Sequence, residues 1–314
     1  MIKKNILSRL YLKYTDKHGY NLYKQQLVNA KYSRFEASLK SNSPIIGAQK
    51  FKEFASVNQS IDFNHSGSAG DIIYALATLK RIWEITSAPL NLYLKLNRPL
   101  TISPYMVHPL GSVMLNDKMV QMIIPLIQAQ PYINYCSVNN DVQVDVDLDL
   151  FRSGLIPQDR GNIARWCGYT TGINPKLYQN WLTVTPDETY GDHIIIARSE
   201  RYRNKMIDYS FLTRYNKIVF IGVKQEFADM QKAIPHLQWM QVTNFLQMAE
   251  IIAGCKFFIG NQSFPYSVAE ALKVKRILEV CTDVINVVPE GEFGYDFMFQ
   301  DHFESLVQEL DSVQ

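Results

Sequence analysis

The sequence predicts an α/β protein with two parallel sheets facing each other across a cleft, preceded by a helical extension. Three observations predict it. Two glycine-bearing segments, 61–84 (IDFNHSGSAGDIIYALATLKRIWE) and 255–280 (CKFFIGNQSFPYSVAEALKVKRILEV), each run from a short apolar strand through small polar residues into an amphipathic helix. Strands and helices alternate around both, the pattern of a parallel sheet covered on both faces. And 314 residues are enough for two domains of ordinary size. The expected division is a basic helical extension over 1–60, a first domain over 61–175 and a second over 176–314. A strand–turn–helix unit aims backbone N–H groups and a helix N-terminus at one point, which favours an anion such as phosphate. Two such units suggest a phosphorylated ligand between them.

The elements follow in order. Residues 1–40 read as helical, with Tyr11, Tyr14, Tyr20, Tyr23 and Tyr32 interspersed, and 41–60 as a connector. The first strand lies near 61–65. In the helix after it, Ile72, Ile73, Leu76, Leu79 and Trp83 share one stripe. NLYLKL (91–96) reads as the next strand and 116–129 as a helix with Met119, Met122, Ile123, Leu126 and Ile127 inward. DVQVDVDLDL (141–150) alternates strictly and is expected to be a strand with one open face. Residues 151–190 hold no long periodic segment and are expected to form the crossing between domains. HIIIAR (193–198), KIVFIG (217–222), KFFIG (256–260) and RILEV (276–280) then read as strands, separated by helices near 224–233, 244–254 and 265–274.

Composition narrows the function. Apolar and charged fractions of 47% and 20% are those of a globular protein, and no apolar run approaches the length of a membrane span. No signal peptide is evident at the basic N-terminus, so cytoplasmic residence is expected. Cys136, Cys167, Cys255 and Cys281 form no CxxC pair and are expected to be reduced, partly buried thiols. Residues 1–60 carry eleven Lys or Arg against three acids, a net +8, which leaves −6 for the rest of a chain whose net charge is +2. Such a segment attracts an anionic surface, at the inner face of a membrane or on nucleic acid. Alternatively it is a solvated helical face whose tyrosines pack on the core.

Three clusters carry candidate chemistry. The first is His65-Ser66-Gly67-Ser68-Ala69-Gly70-Asp71. It is neither GxGxxG nor a P-loop, and is expected to hold an acceptor or a phosphate. Asp71 has two readings: a cap that complements the helix dipole, or a carboxylate at a strand's C-terminal end acting as general base on an acceptor hydroxyl. The second is Gly260-Asn261-Gln262-Ser263-Phe264-Pro265-Tyr266, with Pro265 suited to a first helical turn and Glu270 one turn after Tyr266. Glu270 reads as a partner for a sugar or ribose hydroxyl, or as a solvated glutamate. The third is the basic run Arg198, Arg201, Arg203 and Lys205 after the HIIIAR strand, expected to clamp a pyrophosphate. Gly222, ending the KIVFIG strand, is grouped with this donor side. Asp145, Asp147 and Asp149 are at strand spacing and are assigned to a polar face, so no metal and no other cofactor is expected. The six histidines are scattered.

The segment GDIIYALATLKRI (70–82) resembles the N-terminal motif of the heptosyltransferase-like GT-B glycosyltransferases, the lipopolysaccharide heptosyltransferases and their relatives. MAEIIAGCKFFIGNQSFPYSVAEALKVKRILEV (248–280) resembles their donor-site motif, and ARSERYRN (197–204) sits where their second domain begins. The likeness covers about residues 60–300. It implies a GT-B fold of two Rossmann-like domains, with acceptor held by the first and nucleotide sugar by the second. It implies inversion at the anomeric carbon without a metal, with Asp71 as catalytic base. One departure stands out: where the family has Asp, then Ser or Thr, Gly, and soon a His, this chain has Asn261-Gln262-Ser263-Phe264-Pro265-Tyr266. The acceptor is left open between a glycan, a lipid-linked glycan, a protein and a modified nucleic acid. Two rivals remain: a nucleotide-sugar epimerase of similar build, and a non-catalytic nucleotide-sugar binding protein.

Overall fold

β1 (Ile61–His65) begins a four-stranded sheet of order β3-β2-β1-β4, with β2 (Leu90–Leu94), β3 (Ile133–Val138) and β4 (Val146–Asp147), all parallel. This computed structural model describes residues 3–42, 45–100, 111–139 and 141–312. The second sheet has order β10-β9-β8-β5-β6-β7: β5 (Ile194–Ala197), β6 (Ile218–Ile221), β7 (Gln238–Met240), β8 (Phe257–Asn261), β9 (Arg276–Glu279) and β10 (Gly294–Phe297). It too is wholly parallel. β5, β6, β8 and β9 are buried at every residue, as strands covered on both faces must be. Their side chains alternate between two cores. Ile195, Ala197 and Val219 join the core shared with the first sheet, while Ile194, Ile196 and Ile218 pack with Phe303 of the last helix on the far side.

The helices are α1 (Ile6–Thr15), α2 (Lys17–Asn42), α3 (Ala48–Val57), α4 (Ala69–Thr86), α5 (Asp117–Gln128), α6 (Trp166–Thr171), α7 (Lys224–Ala233), α8 (Phe245–Gly254), α9 (Phe264–Leu272) and α10 (Gln300–Ser312). α4 buries Ile72, Ile73, Leu76 and Leu79, the expected stripe, and α5 buries Ile123, Leu126 and Ile127. α3 corrects the connector: Phe51, Phe54 and Ala55 recur at helical spacing, and Phe51 is wholly buried. The expected ten-residue strand over 141–150 is also corrected. Only Val146–Asp147 pairs with β1, because the Asp147 carboxylate accepts the Asp149 N–H at 2.9 Å and turns the chain into a 3₁₀ helix, Leu148–Arg152. The 151–190 segment holds short helical turns rather than a long element. Its Trp181 ties the two sheets' helices together: Nε1–H donates to the Ile73 carbonyl of α4 at 2.8 Å, and the backbone N–H to the Ala271 carbonyl of α9 at 2.9 Å. All four cysteines are free, and burial pushes the thiols of Cys136 and Cys255 up to about 12. No helix among the described residues is long and apolar enough to cross a membrane.

Candidate functional site

The ends of β1 and β8 bring the two glycine-bearing turns face to face. α4 and α9 pack against each other, and a Cβ placed on Gly70 would lie 3.9 Å from Phe264 Cα and from Ser267 Oγ. Ser68 caps α4. Its side chain takes the Asp71 N–H, and the Asp71 carboxylate takes the Ser68 N–H at 3.3 Å, a reciprocal capping box. Gly67 is required by crowding, since a Cβ there would meet His65 Cε1 at 2.5 Å and an Arg152 nitrogen at 2.6 Å.

The turn is not the open anion cradle the sequence suggests. The Ser66 N–H donates to Asp149 Oδ1 at 3.1 Å and the Gly67 N–H to His65 Nδ1 at 2.9 Å, while the Ser68 N–H is held by Asp71. A phosphate placed there would face two carboxylates and find its amide donors taken. His65 is fully buried. Burial outweighs the neighbouring Asp149 charge and holds its pKa below the usual range, so the imidazole is neutral. With Nδ1 accepting, the proton is assigned to Nε2, which has no partner among the described residues.

Two arginines complete the turn, and the sequence reading did not single out either. Arg152 forms an ion pair with Asp71, and its Nε lies 3.7 Å from Asp149 Oδ1. Arg98 donates to Ser66 Oγ at 2.8 Å and stands 3.7 Å from Asp149 Oδ2. Asp71 is therefore bonded through one oxygen. Oδ2 receives Arg152 and the Ser68 N–H, whereas Oδ1 has no hydrogen bond among the described residues, and the side chain keeps 17% of its exposure. The cap and base readings of Asp71 are thus compatible.

On the second sheet the basic run divides. Arg198 is buried. It donates to Glu279 through Nε at 2.7 Å and through a terminal nitrogen at 2.9 Å, and also to the carbonyls of Asn204 and Ile207. Its guanidinium lies over the Tyr209 ring at 4.3 Å. The expectation of a free clamp is corrected here, because a wholly buried Glu279 needs a cation beside it. Arg203 is paired with Asp229. Arg201 and Lys205 have no carboxylate partner among the described residues; Lys205 is exposed and Arg201 stacks on Tyr202 at 4.3 Å. Burial raises the Tyr202 phenol pKa against the pull of Arg201, and the nearby charge of Asp71 adds to the rise.

The second turn is laced to its neighbours. Asn261 accepts the Ser199 N–H at 3.0 Å and donates to the Ser199 carbonyl at 2.7 Å. Gln262 accepts the Cys281 N–H at 3.1 Å and donates to Asn286 at 2.8 Å. Ser263 is half-buried at the N-cap of α9, Pro265 lies in the first turn and Tyr266 is buried in the core. Glu270 is neither solvated nor open to a ribose: it is buried, ion-paired with Arg276 and Lys273, and accepts the Glu290 N–H at 3.1 Å. Gly222 serves packing, since a Cβ would meet the Phe220 ring at 2.7 Å. Glu279 and Arg276 went unassigned in the sequence. The signal was present: charges within fully buried strands must be paired.

No family model and no curated protein matches the chain. Its structure is similar to that of a glycosyl transferase family 9 protein from Veillonella parvula (TM-score 0.51, 10% identity, covering 82% of this chain and 90% of that one). It is similar to E. coli heptosyltransferase WaaC with ADP (TM-score 0.55, 9% identity, covering 80% and 99%) and with ADP-2-deoxy-2-fluoro heptose (TM-score 0.53, 9% identity, covering 80% and 99%). The fold is therefore the GT-B fold of the heptosyltransferases.

Proposed function

We propose that the chain is a glycosyltransferase that moves a sugar from a nucleoside-diphosphate sugar to an acceptor hydroxyl, with inversion and without a metal. The observation that carries this reading is the bonding of Asp71. Arg152 and the Ser68 amide hold Oδ2, and Oδ1 has no hydrogen bond among the described residues where the two turns meet. That oxygen removes the acceptor proton as the hydroxyl attacks the anomeric carbon. Arg152 is a positioning residue that fixes the carboxylate. Arg201 and Lys205 meet the leaving diphosphate, developing charge that needs no cation from solution. The division at residues 60 and 175 belongs to this reading, with acceptor on the first sheet and donor on the second. WaaC, which shares the fold, was solved with ADP and with an ADP-sugar analogue, which supports a nucleotide-sugar donor.

The test is Asp71→Asn, which keeps the cap and removes the base. Transfer from a panel of nucleoside-diphosphate sugars should fall about 100-fold or more, with donor affinity unchanged. Near-normal transfer by the folded variant would leave Asp71 as a cap only. A second reading, a nucleotide-sugar binding protein without turnover, is favoured by one observation: Asn261, Gln262 and Arg198 are spent on internal bonds. Donor binding without transfer or hydrolysis for any acceptor class would select it.

A further inference from the structure

α1 and α2 form a helical hairpin. Asp16 breaks the chain between them and caps α2 through the Gly19 N–H at 2.8 Å. α1 folds back so that the Lys4 N–H reaches the Tyr23 hydroxyl at 2.9 Å. The expectation that the tyrosines pack inward holds for Tyr23 and fails for Tyr11, Tyr14 and Tyr32, which are exposed.

No residue of α1 is buried. At 100° per residue Ile6, Leu7, Leu10, Tyr11 and Tyr14 share one face, and that face stands in water, with Leu7 77% and Tyr14 80% exposed. Lys3 and Lys4 precede the helix, Lys13 borders the apolar face, Arg9 lies further round the helix and Lys17 opens α2. Within residues 3–42, nine Lys or Arg oppose Asp16 and Glu36, a net +7, and Lys40 already neutralises Glu36. Beneath α2 lies a cavity of about 390 Å³, lined by Lys3, Lys31 and Arg34 together with Leu27, Phe35 and Leu155, and by no carboxylate among the described residues. The size suits a small ligand. Cations over an apolar floor suit a phosphate that carries the start of an alkyl chain.

The charge and the apolar face select one occupant. A second copy would bring +7 against +7. A nucleic acid would satisfy the cations and leave Ile6, Leu7 and Leu10 in water. An anionic bilayer surface satisfies both, since interfacial helices pair an apolar face with flanking Lys and Arg. We propose that the α1–α2 hairpin is a docking surface for anionic phospholipid membranes, with α1 lying among the headgroups and a lipid phosphate seated in the cavity by Lys3, Lys31 and Arg34. The proposal goes beyond sugar transfer and does not depend on it.

The experiment is co-sedimentation of the full chain with vesicles of phosphatidylcholine alone and of equimolar phosphatidylcholine and phosphatidylglycerol. Binding should require phosphatidylglycerol and weaken steeply with salt. Lys31→Glu with Arg34→Glu should weaken it about 25-fold or more, at about fivefold per charge removed. Leu7→Ser with Tyr14→Ser should weaken it about tenfold or more. All four residues are exposed, and unchanged circular dichroism confirms the fold. Soluble short-chain phosphatidylglycerol separates cavity from face: its binding should be lost in the Lys31→Glu/Arg34→Glu protein and kept in the Leu7→Ser/Tyr14→Ser protein. Absence of binding to the mixed vesicles, equal binding to neutral ones, or indifference to both double variants would overturn the proposal. So would self-association abolished by Leu7→Ser in a protein that ignores vesicles.

Discussion

Arg198→Ala separates a structural cation from a ligand clamp. In the folded protein Glu279 has no exposed surface and accepts four donors: two from Arg198, the Tyr209 hydroxyl at 2.8 Å and the Asn204 N–H at 2.5 Å. Removing Arg198 strips both charged donors from a carboxylate that water cannot reach. It also strips the donor from the Asn204 and Ile207 carbonyls. Breaking a buried pair in this way costs about 3–5 kcal/mol. Arg198→Met combined with Glu279→Gln keeps an acceptor oxygen for the Asn204 N–H, turns an amide N–H towards the Tyr209 hydroxyl oxygen and leaves no lone charge, so it should lose about 1–3 kcal/mol less than the sum of the single variants. Urea unfolding followed by circular dichroism reads both quantities, and calorimetric titration with a panel of nucleoside diphosphates reads ligand binding. Arg201→Ala and Lys205→Ala should show the inverse pattern: stability within about 0.5 kcal/mol of the parent, and diphosphate affinity weakened by about 1.5–3 kcal/mol in at least one of them. An Arg198→Ala protein of parental stability that had lost nucleoside diphosphate binding would refute the reasoning and restore Arg198 to the clamp.

The remaining predictions concern the first turn. Arg152→Met should lower kcat about tenfold or more with little change in donor KM, and Arg152→Lys should recover part of it; a pure KM effect would place Arg152 on substrate instead of on Asp71. His65 is held neutral by burial while the unfolded chain titrates near its ordinary 6.5, so the unfolded state binds the extra proton as pH falls. The stability that His65 confers is therefore present above about 6.5 and is lost below it by at most about 1.4 kcal/mol per pH unit. Urea midpoints measured across that range should show a shallower slope in His65→Asn than in the parent, and equal slopes would contradict the assignment. Asp145, Asp147 and Asp149 each accept a backbone N–H, from Asp62, Asp149 and Ser66 respectively. Transfer should therefore persist in EDTA, and inhibition reversed by Mg²⁺ or Mn²⁺ would reverse that reading.

Much of the fold was readable because periodicity is local. α5, α7 and α8 start and stop within about one residue of the helices read from the sequence, since apolar positions at helical spacing, and for α5 and α8 the Asn116 and Asn244 caps, are written in adjacent residues. β7 (QWM) and β10 (GYDF) were not readable: each is short and half polar, and lies at a sheet edge where no buried run marks it. In β3 (INYCSV), Asn134 and Tyr135 stand exposed between buried Ile133 and Cys136, which breaks strict alternation where the pairing with β2 shifts register. The 141–150 run failed for a different reason. Alternation describes side chains on a pleated strand, but aspartate two residues before an N–H also makes a turn, and at Asp147 the turn prevailed.

The site was legible in place but not in bonding, and strand order explains the difference. β8 lies between β5 and β9, with Ala197 level with Gly260, and Asn261 level with Glu279. Arg198, one residue past Ala197, is therefore brought level with Asn261 and Glu279. It reaches Glu279 across the middle strand, where a Cβ on Gly260 would sit 2.9 Å from the Ala197 carbonyl oxygen. Residues 81 apart in sequence become an ion pair only through that order. A cation at the C-terminal end of a buried strand faces ligand or core according to what the neighbouring strand ends in. Here β9 ends in a buried glutamate, which claims Arg198 and leaves Arg201 and Lys205, beyond the strand end and without carboxylate partners among the described residues, as the cations able to meet a diphosphate.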